Sequence, residues 1–242
     1  MGKKRENNKG DKGSGKVHKE RDIFKFVKFI IGILIIPACL GISLSFYRLF
    51  FVNSHFFQNH FWFAAGFVGY VVIYSIFQNP IKTYVYGHEL THALWTWLFR
   101  GKVKGFSANE DGGSVTVTKS NFLISLAPYF FPIYTFLAVC LYLVAISFWR
   151  VGSTGRDVFQ FILGFTWAFH FVLTVFVMMK EQSDIKENGV VFSVFFIYLT
   201  NLIVLGLLFV FLSQEISLER FCVNTMDKVE AQYLYLLRLG RM

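Results

Sequence analysis

Two histidines and a glutamate within residues 86–93 are the side chains best suited to chemistry. The segment reads Tyr-Gly-His-Glu-Leu-Thr-His-Ala, so His88 and His92 are four residues apart with Glu89 between them. On an α-helix, side chains four residues apart lie on one face, and two imidazoles placed in this way can bind one zinc ion. Glu89 beside them is suited to accept a proton from a water molecule that the metal activates. The spacing therefore predicts a hydrolytic zinc site on a helix.

Glu89 also stands out because the sequence around it carries almost no acidic charge. It is the only acidic residue between Asp22 and Glu110, and long apolar runs lie on both sides of it. A carboxylate inside a membrane costs about 3 kcal/mol, so it is expected there only when it is paired with another group or has a functional role. This isolation favours a functional carboxylate over the alternative of a chance match, in which both histidines are ordinary hydrogen-bonded core residues.

Composition and charge indicate an integral, multi-pass membrane protein. The 242 residues are 55% hydrophobic and 16% charged, which is too little charge to cover the surface of a soluble domain. Ten Lys and Arg fall within residues 1–28 against four acidic residues, and a basic run beside an apolar one indicates a cytoplasmic N-terminus in a cell membrane or inner membrane. No nucleic-acid motif accompanies this run, so the lipid bilayer rather than nucleic acid is the expected partner.

The apolar segments predict an all-α polytopic membrane protein with about six transmembrane helices. A disordered basic cytoplasmic tail is expected over residues 1–22, a transmembrane bundle over 23–213, and an amphipathic helix on the cytoplasmic face over 214–242. The predicted spans are residues 29–47, 61–77, 81–99, 120–149, 158–179 and 189–213. Their even number would return both chain ends to the same side of the membrane.

Two local patterns interrupt this helical arrangement. Residues 101–119 alternate or carry β-branched side chains around an Asn-Glu-Asp-Gly-Gly turn, which predicts a small β-hairpin directly after the zinc-site helix, although a surface loop is an alternative. Pro128 and Pro132 lie in the first half of the fourth apolar segment. Because proline disrupts helical hydrogen bonding, that half is expected to be broken or re-entrant.

A catalytic zinc ion normally has three protein ligands and an open position, so the motif lacks one ligand. On straight helices, His88 and His92 lie about 12 and 18 Å beyond Pro80, and His170 lies about 21 Å beyond Arg156, just before the fifth span. These similar depths favour His170 as the third ligand, against the alternative of a buried histidine bonded to a backbone carbonyl.

Two aspartates are the other candidates for the third ligand. Asp184 would lie about 21 Å beyond His170, and would become available if the fifth helix ended early or folded back. Otherwise Asp184 is a solvated loop residue. Asp111 is followed by two glycines and is best interpreted as a turn residue, so it ranks last.

The motif and the segments after it resemble the site-2 protease family of intramembrane zinc metalloproteases, and its divergent bacterial branch in particular. The resemblance covers residues 80–205 and includes a Gly-Gly-Ser-Val hairpin at 112–115 and a Leu-Ala-Pro-Tyr segment at 126–129. It implies hydrolysis of peptide bonds in membrane-protein or peptide substrates, with His88 and His92 as zinc ligands and Glu89 as general base. The family's usual third ligand is an aspartate in a Leu-Asp-Gly segment, which this sequence does not contain.

Two other functions remain open at the level of the sequence. One is a zinc-free, inactive relative that serves as a membrane scaffold or regulator. The other is a transporter in which Glu89, His170 and Asn201 line an ion path, although the sequence shows no inverted repeat of the kind found in many transporters.

Overall fold

The computed structural model describes residues 11–52, 54–77, 80–109, 112–180, 182–213 and 217–239. Within these ranges the chain is predominantly helical, with one small sheet. The helices are α1 Asp11–Tyr47, continued by a π-helical turn at Arg48–Val52, α2 Ser54–Asn59, α3 Phe61–Ile76, α4 Ile81–Leu98, α5 Phe122–Phe130, α6 Ile133–Phe148, α7 Ser153–Met178, α8 Ser183–Asn188, α9 Val190–Leu212 and α10 Leu218–Leu239. The strands are β1 Val103–Ala108 and β2 Gly113–Val117.

Three helices in the described part of the chain are long and apolar enough to span a membrane. They are α7, α9 and the segment Ile23–Phe50, which covers the apolar part of α1 and the start of the π-helical turn. The bent pair α5 and α6 adds a fourth if it counts as one span. α3 has only 16 residues, and α4 carries the polar side chains of the histidine motif. The membrane character of the protein is therefore supported, whereas the expected number of six spans is not confirmed.

The predicted break in the fourth apolar segment is confirmed. The axes of α5 and α6 differ by 72°, and the chain is extended at Phe131 between them. Pro132 has no N–H to continue the hydrogen bonding of α5, which accounts for the end of that helix. The carbonyl of Tyr129 at this end instead accepts a hydrogen bond of 2.8 Å from the Asn201 side chain of α9.

The predicted hairpin is also confirmed, and it follows α4 directly. β1 and β2 pair antiparallel, with Ala108 opposite Gly113 and Phe106 opposite Val115, and an irregularity interrupts the register near Val103. The middle of the predicted turn, Glu110 and Asp111, lies outside the described residues. The hairpin packs against α4 and so reaches the histidine motif.

α3 and α7 approach each other closely because each helix has a glycine that faces the backbone of the other. A Cβ at Gly66 would overlap the carbonyl oxygen of Phe161, and one at Gly164 would overlap that of Phe63. Small residues at a helix interface permit this backbone contact in membrane bundles. α7 also shares a buried hydrophobic cluster with α9, which includes Phe159 and Leu163 of α7 and Phe209 of α9.

The C-terminal helix α10 runs antiparallel beside α1. Its Phe221 ring lies 6.2 Å from that of Phe46, and its Tyr233 hydroxyl donates a 2.6 Å hydrogen bond to the carbonyl of Leu34. These contacts extend along the apolar part of α1. The expected disorder of residues 1–22 falls partly on residues 1–10, outside the described residues, while residues 11–22 belong to α1.

Candidate metal centre

The histidine motif lies on α4 as predicted. The helix begins at Ile81 directly after Pro80, whose fixed φ suits a helix start, and it places the His88 and His92 rings one turn apart with centroids 4.9 Å from each other. The Nε2 atoms of both rings face the same Oδ2 atom of Asp184, at 3.8 Å for His88 and 3.6 Å for His92.

These three residues form a group that could hold a metal ion. One ligand atom from each lies within 4.8 Å of the other two. Two ligands bound at about 2.05 Å to a tetrahedral ion are about 3.3 Å apart, which is close to the separations between Asp184 and the two imidazoles. The donor types and their spacing therefore fit a metal site with two imidazole nitrogens and one carboxylate oxygen.

Asp184 reaches the histidines because the chain folds back after α7. That helix ends at Met178, and the short helix α8 begins at Ser183 and packs against α5. Burial alone would raise the pKa of Asp184, but interaction with the His88 and His92 imidazoles outweighs burial and holds this pKa below its usual range. The carboxylate is consequently in the ionised form that metal binding requires.

Side chains and a carbonyl from α5 orient the ligands. The Tyr129 hydroxyl donates to Oδ2 of Asp184 at 3.3 Å, and the Ser125 hydroxyl donates to Oδ1 at 3.4 Å. Nδ1 of His92 lies 2.9 Å from the carbonyl oxygen of Ile124. Because a carbonyl only accepts, this nitrogen carries the proton and Nε2 keeps its lone pair for a metal.

Glu89 lies beside the ligands, at the edge of the hairpin. Its side chain is 7% exposed and borders a cleft of about 300 Å³ formed by α4, β2, the start of α5 and α8. The Gly113 backbone approaches Glu89 so closely that a Cβ there would lie 2.5 Å from Cγ of the glutamate. A carboxylate, the three candidate metal ligands and a strand thus share one cleft.

His170, the residue expected to be the third ligand, does not join this group. Its Nε2 lies 3.3 Å from Oδ1 of Asn201, and both Nδ2 hydrogens of that amide are directed to the carbonyls of Tyr129 and Ile197. Nε2 of His170 therefore donates to the amide oxygen and offers no lone pair. His170 and His88 both border a small cavity beside Pro128.

Asp184, the alternative third ligand, occupies the position beside His88 and His92 that the depth estimate had predicted for His170. The depth estimate assumed straight spans, whereas α5 and α6 are bent and α8 folds back after α7. Asp111, the lowest-ranked candidate, lies outside the described residues.

Sequence reasoning missed the residues that support the ligands. Ser125 and Tyr129 lie in an apolar segment with no motif spacing to mark them. The Leu-Ala-Pro-Tyr segment at 126–129, part of the family resemblance, is the one sequence signal for Tyr129, which is its last residue.

Comparison with protein-family models, with curated proteins and with solved structures finds no match to this chain. The interpretation of the site accordingly depends on its own residues and geometry.

Proposed function

We propose that the protein is an intramembrane zinc metalloendopeptidase that hydrolyses peptide bonds of membrane-protein substrates. The observation that carries the proposal is the convergence of His88 and His92 on one oxygen of Asp184. Glu89 lies in the same cleft. The apolar helices support a multi-pass protein in the lipid bilayer, and the basic N-terminal residues support a cytoplasmic N-terminus.

Zinc is the metal that best suits this donor set. Two imidazoles and a carboxylate are common ligands of catalytic zinc, and three protein ligands leave a fourth position open. When bound there, the ion would lower the pKa of a water molecule to about 7 and polarise the scissile carbonyl. The donors to Asp184 and the Ile124 carbonyl behind His92 would hold the ligands in orientation.

Glu89 is the proposed general base. It would accept a proton from the attacking water as the water oxygen bonds to the carbonyl carbon of the substrate. It would then deliver that proton to the departing amide nitrogen as the C–N bond breaks, so that one water is consumed and an acid and an amine are released. Its low exposure keeps bulk water away from this exchange.

The hairpin offers a place for an extended substrate. The sheet in the described part of the chain has two strands, and Gly113, Ser114 and Val115 of β2 line the cleft. A substrate helix must unwind before its backbone can reach the base, and pairing with the edge of β2 would hold it extended. The supporting contact is the approach of Gly113 to Glu89.

The test measures metal content and hydrolysis on the same purified preparations. Wild type in detergent is expected to contain about one zinc per chain, to cleave single-span membrane peptides in liposomes, and to lose cleavage after treatment with a chelator. Glu89→Gln is the matched control, since it should keep the metal and lose cleavage. A wild type that binds no zinc would overturn the proposal and favour a protease-like scaffold or regulator, whereas zinc-independent ion flux would favour a transporter.

A further inference from the structure

We propose that Lys28 of α1 is a positioning residue for the third metal ligand, and that it acts on Asp184 through Asn188 and Ser125. The inference rests on the proposed metal site and adds to it a part of the chain that the histidine motif does not contain. Lys28 and Asp184 are far apart in sequence, and they are joined by a short series of hydrogen bonds.

Four contacts make up this series. Nζ of Lys28 donates to Oδ1 of Asn188 at 2.7 Å. Nδ2 of Asn188 donates to Oγ of Ser125 at 3.1 Å and to the backbone carbonyl of Asp184 at 2.8 Å. Oγ of Ser125 then donates to Oδ1 of Asp184 at 3.4 Å. The last oxygen belongs to the carboxylate whose other oxygen faces both histidines.

The chemistry of these groups fixes the direction of every bond. A lysine ammonium is only a donor, so the atom of Asn188 that faces it must be the amide oxygen. The amide nitrogen must then face Ser125 and the Asp184 carbonyl. Because Ser125 already accepts a hydrogen bond from the amide, its single proton is free to be donated to the carboxylate of Asp184.

Lys28 is well placed to enforce this arrangement. Its Nζ lies 5.5 Å from the centroid of the Phe24 ring and 5.9 Å from that of Phe192, so aromatic rings surround the ammonium beside the amide. Asn188 is only 5% exposed, and water cannot easily replace a lost partner. Without Lys28, the amide oxygen loses its donor, and rotation of the amide so that its oxygen accepts from Ser125, at the cost of its bond to the Asp184 carbonyl, would draw the serine proton away from Asp184.

The effect on the metal site follows from this reversal. Asp184 would keep the Tyr129 hydroxyl on Oδ2 but lose the donor on Oδ1. A carboxylate held on one oxygen only is freer to rotate away from the histidines. Loss of a partner that orients a metal ligand typically weakens metal binding by about 10–100-fold.

Zinc affinity, measured by chelator competition, and the visible absorption spectrum of the Co²⁺-substituted protein test this inference without an activity assay. Lys28→Met should bind zinc about tenfold more weakly and show an altered Co²⁺ spectrum. Lys28→Arg, which keeps a donor-only side chain, should restore both properties. Lys25→Met is the matched control on the same exposed helix turn, and it should leave both unchanged.

A second set of variants separates positioning from a general loss of packing. Asn188→Asp keeps a partner for Lys28 but cannot donate to Ser125, so it should weaken zinc binding as Lys28→Met does. Ser125→Ala should have a similar effect, and the double variant Lys28→Met/Ser125→Ala should bind no more weakly than either single variant.

The possible failures are distinguishable. If wild type binds neither zinc nor Co²⁺, the proposed function fails and this inference fails with it. If wild type binds zinc, but Lys28→Met and Asn188→Asp retain its affinity and Co²⁺ spectrum, the positioning role alone is overturned. Additive losses in the double variant would also overturn it, because they would show that Lys28 acts independently of Ser125.

Discussion

Gly113, the first residue of β2, lies directly against Glu89 of α4. A Cβ on this glycine would be 2.5 Å from Cγ of the glutamate and 2.7 Å from its Oε1. The hairpin backbone therefore limits where the proposed base can lie, in addition to offering an edge for a substrate. This contact gives the first of four predictions.

Gly113→Ala is expected to reduce hydrolysis by about 100-fold, because the added methyl group displaces the Glu89 carboxylate from the attacking water. Zinc content should stay at the wild-type level, since the atoms nearest to the added methyl group belong to Glu89 and Val85 rather than to a proposed metal ligand. Gly105→Ala on β1 is the control, as a Cβ there meets only ordinary contacts, the nearest at 3.7 Å. Equal activity of the two variants would show that the approach of Gly113 does not position the base.

Glu89→Gln should lower the rate of hydrolysis by about 10²-fold or more, because an amide of the same shape cannot accept the proton. Metal content, measured by elemental analysis of the same sample, should not change. If cleavage persisted at the wild-type rate with zinc present, another group would have to be the base.

Asp184→Asn is expected to abolish stoichiometric zinc binding, because a neutral amide is a poor substitute for the carboxylate that faces both imidazoles. His170→Gln should retain about one zinc per chain, since Nε2 of that histidine is engaged with Asn201. Elemental analysis of both variants in detergent checks the assignment. The opposite pattern would restore His170 as the third ligand.

Asn201→Leu should lower the thermal stability of the protein without removing the metal. The substitution leaves the Tyr129 carbonyl and the His170 ring without the hydrogen-bond partners that Asn201 supplies. Each buried group left unpaired should lower the free energy of unfolding by about 1–3 kcal/mol. A fall in Tm in detergent with unchanged zinc content is the expected result. Thr200→Leu provides a control on the same helix, because its hydroxyl bonds only within α9. A similar loss from both variants would contradict the specific role of Asn201.

Local features of the fold could be predicted from the sequence because local chemistry determines them. Pro80 at the start of α4 and Pro132 between α5 and α6 set the ends of those helices. Alternation and β-branching specify the hairpin, and the four-residue spacing places His88 and His92 on one face.

The third ligand depended on the direction that the chain takes after α7, which the sequence marks weakly. Residues 158–179 read as a continuous apolar span, and nothing in them shows that α8 would fold back to bring Asp184 to α4. The same limit applies to α10. Its amphipathic pattern predicts a helix with an apolar face, but not that Val229 would pack where Gly41 leaves room on α1.

The backbone contact between α3 and α7 also has a consequence for biosynthesis. α3 leaves the ribosome long before α7, so the glycine-mediated contact cannot form until the later helix has been made. Asp184 follows α7 in the chain. During translation, the two histidines and the glutamate of α4 are therefore synthesised before Asp184, the proposed third ligand. A nascent chain of this protein carries the whole histidine motif before it carries Asp184, so the proposed metal site can close only after α7 and α8 have been made.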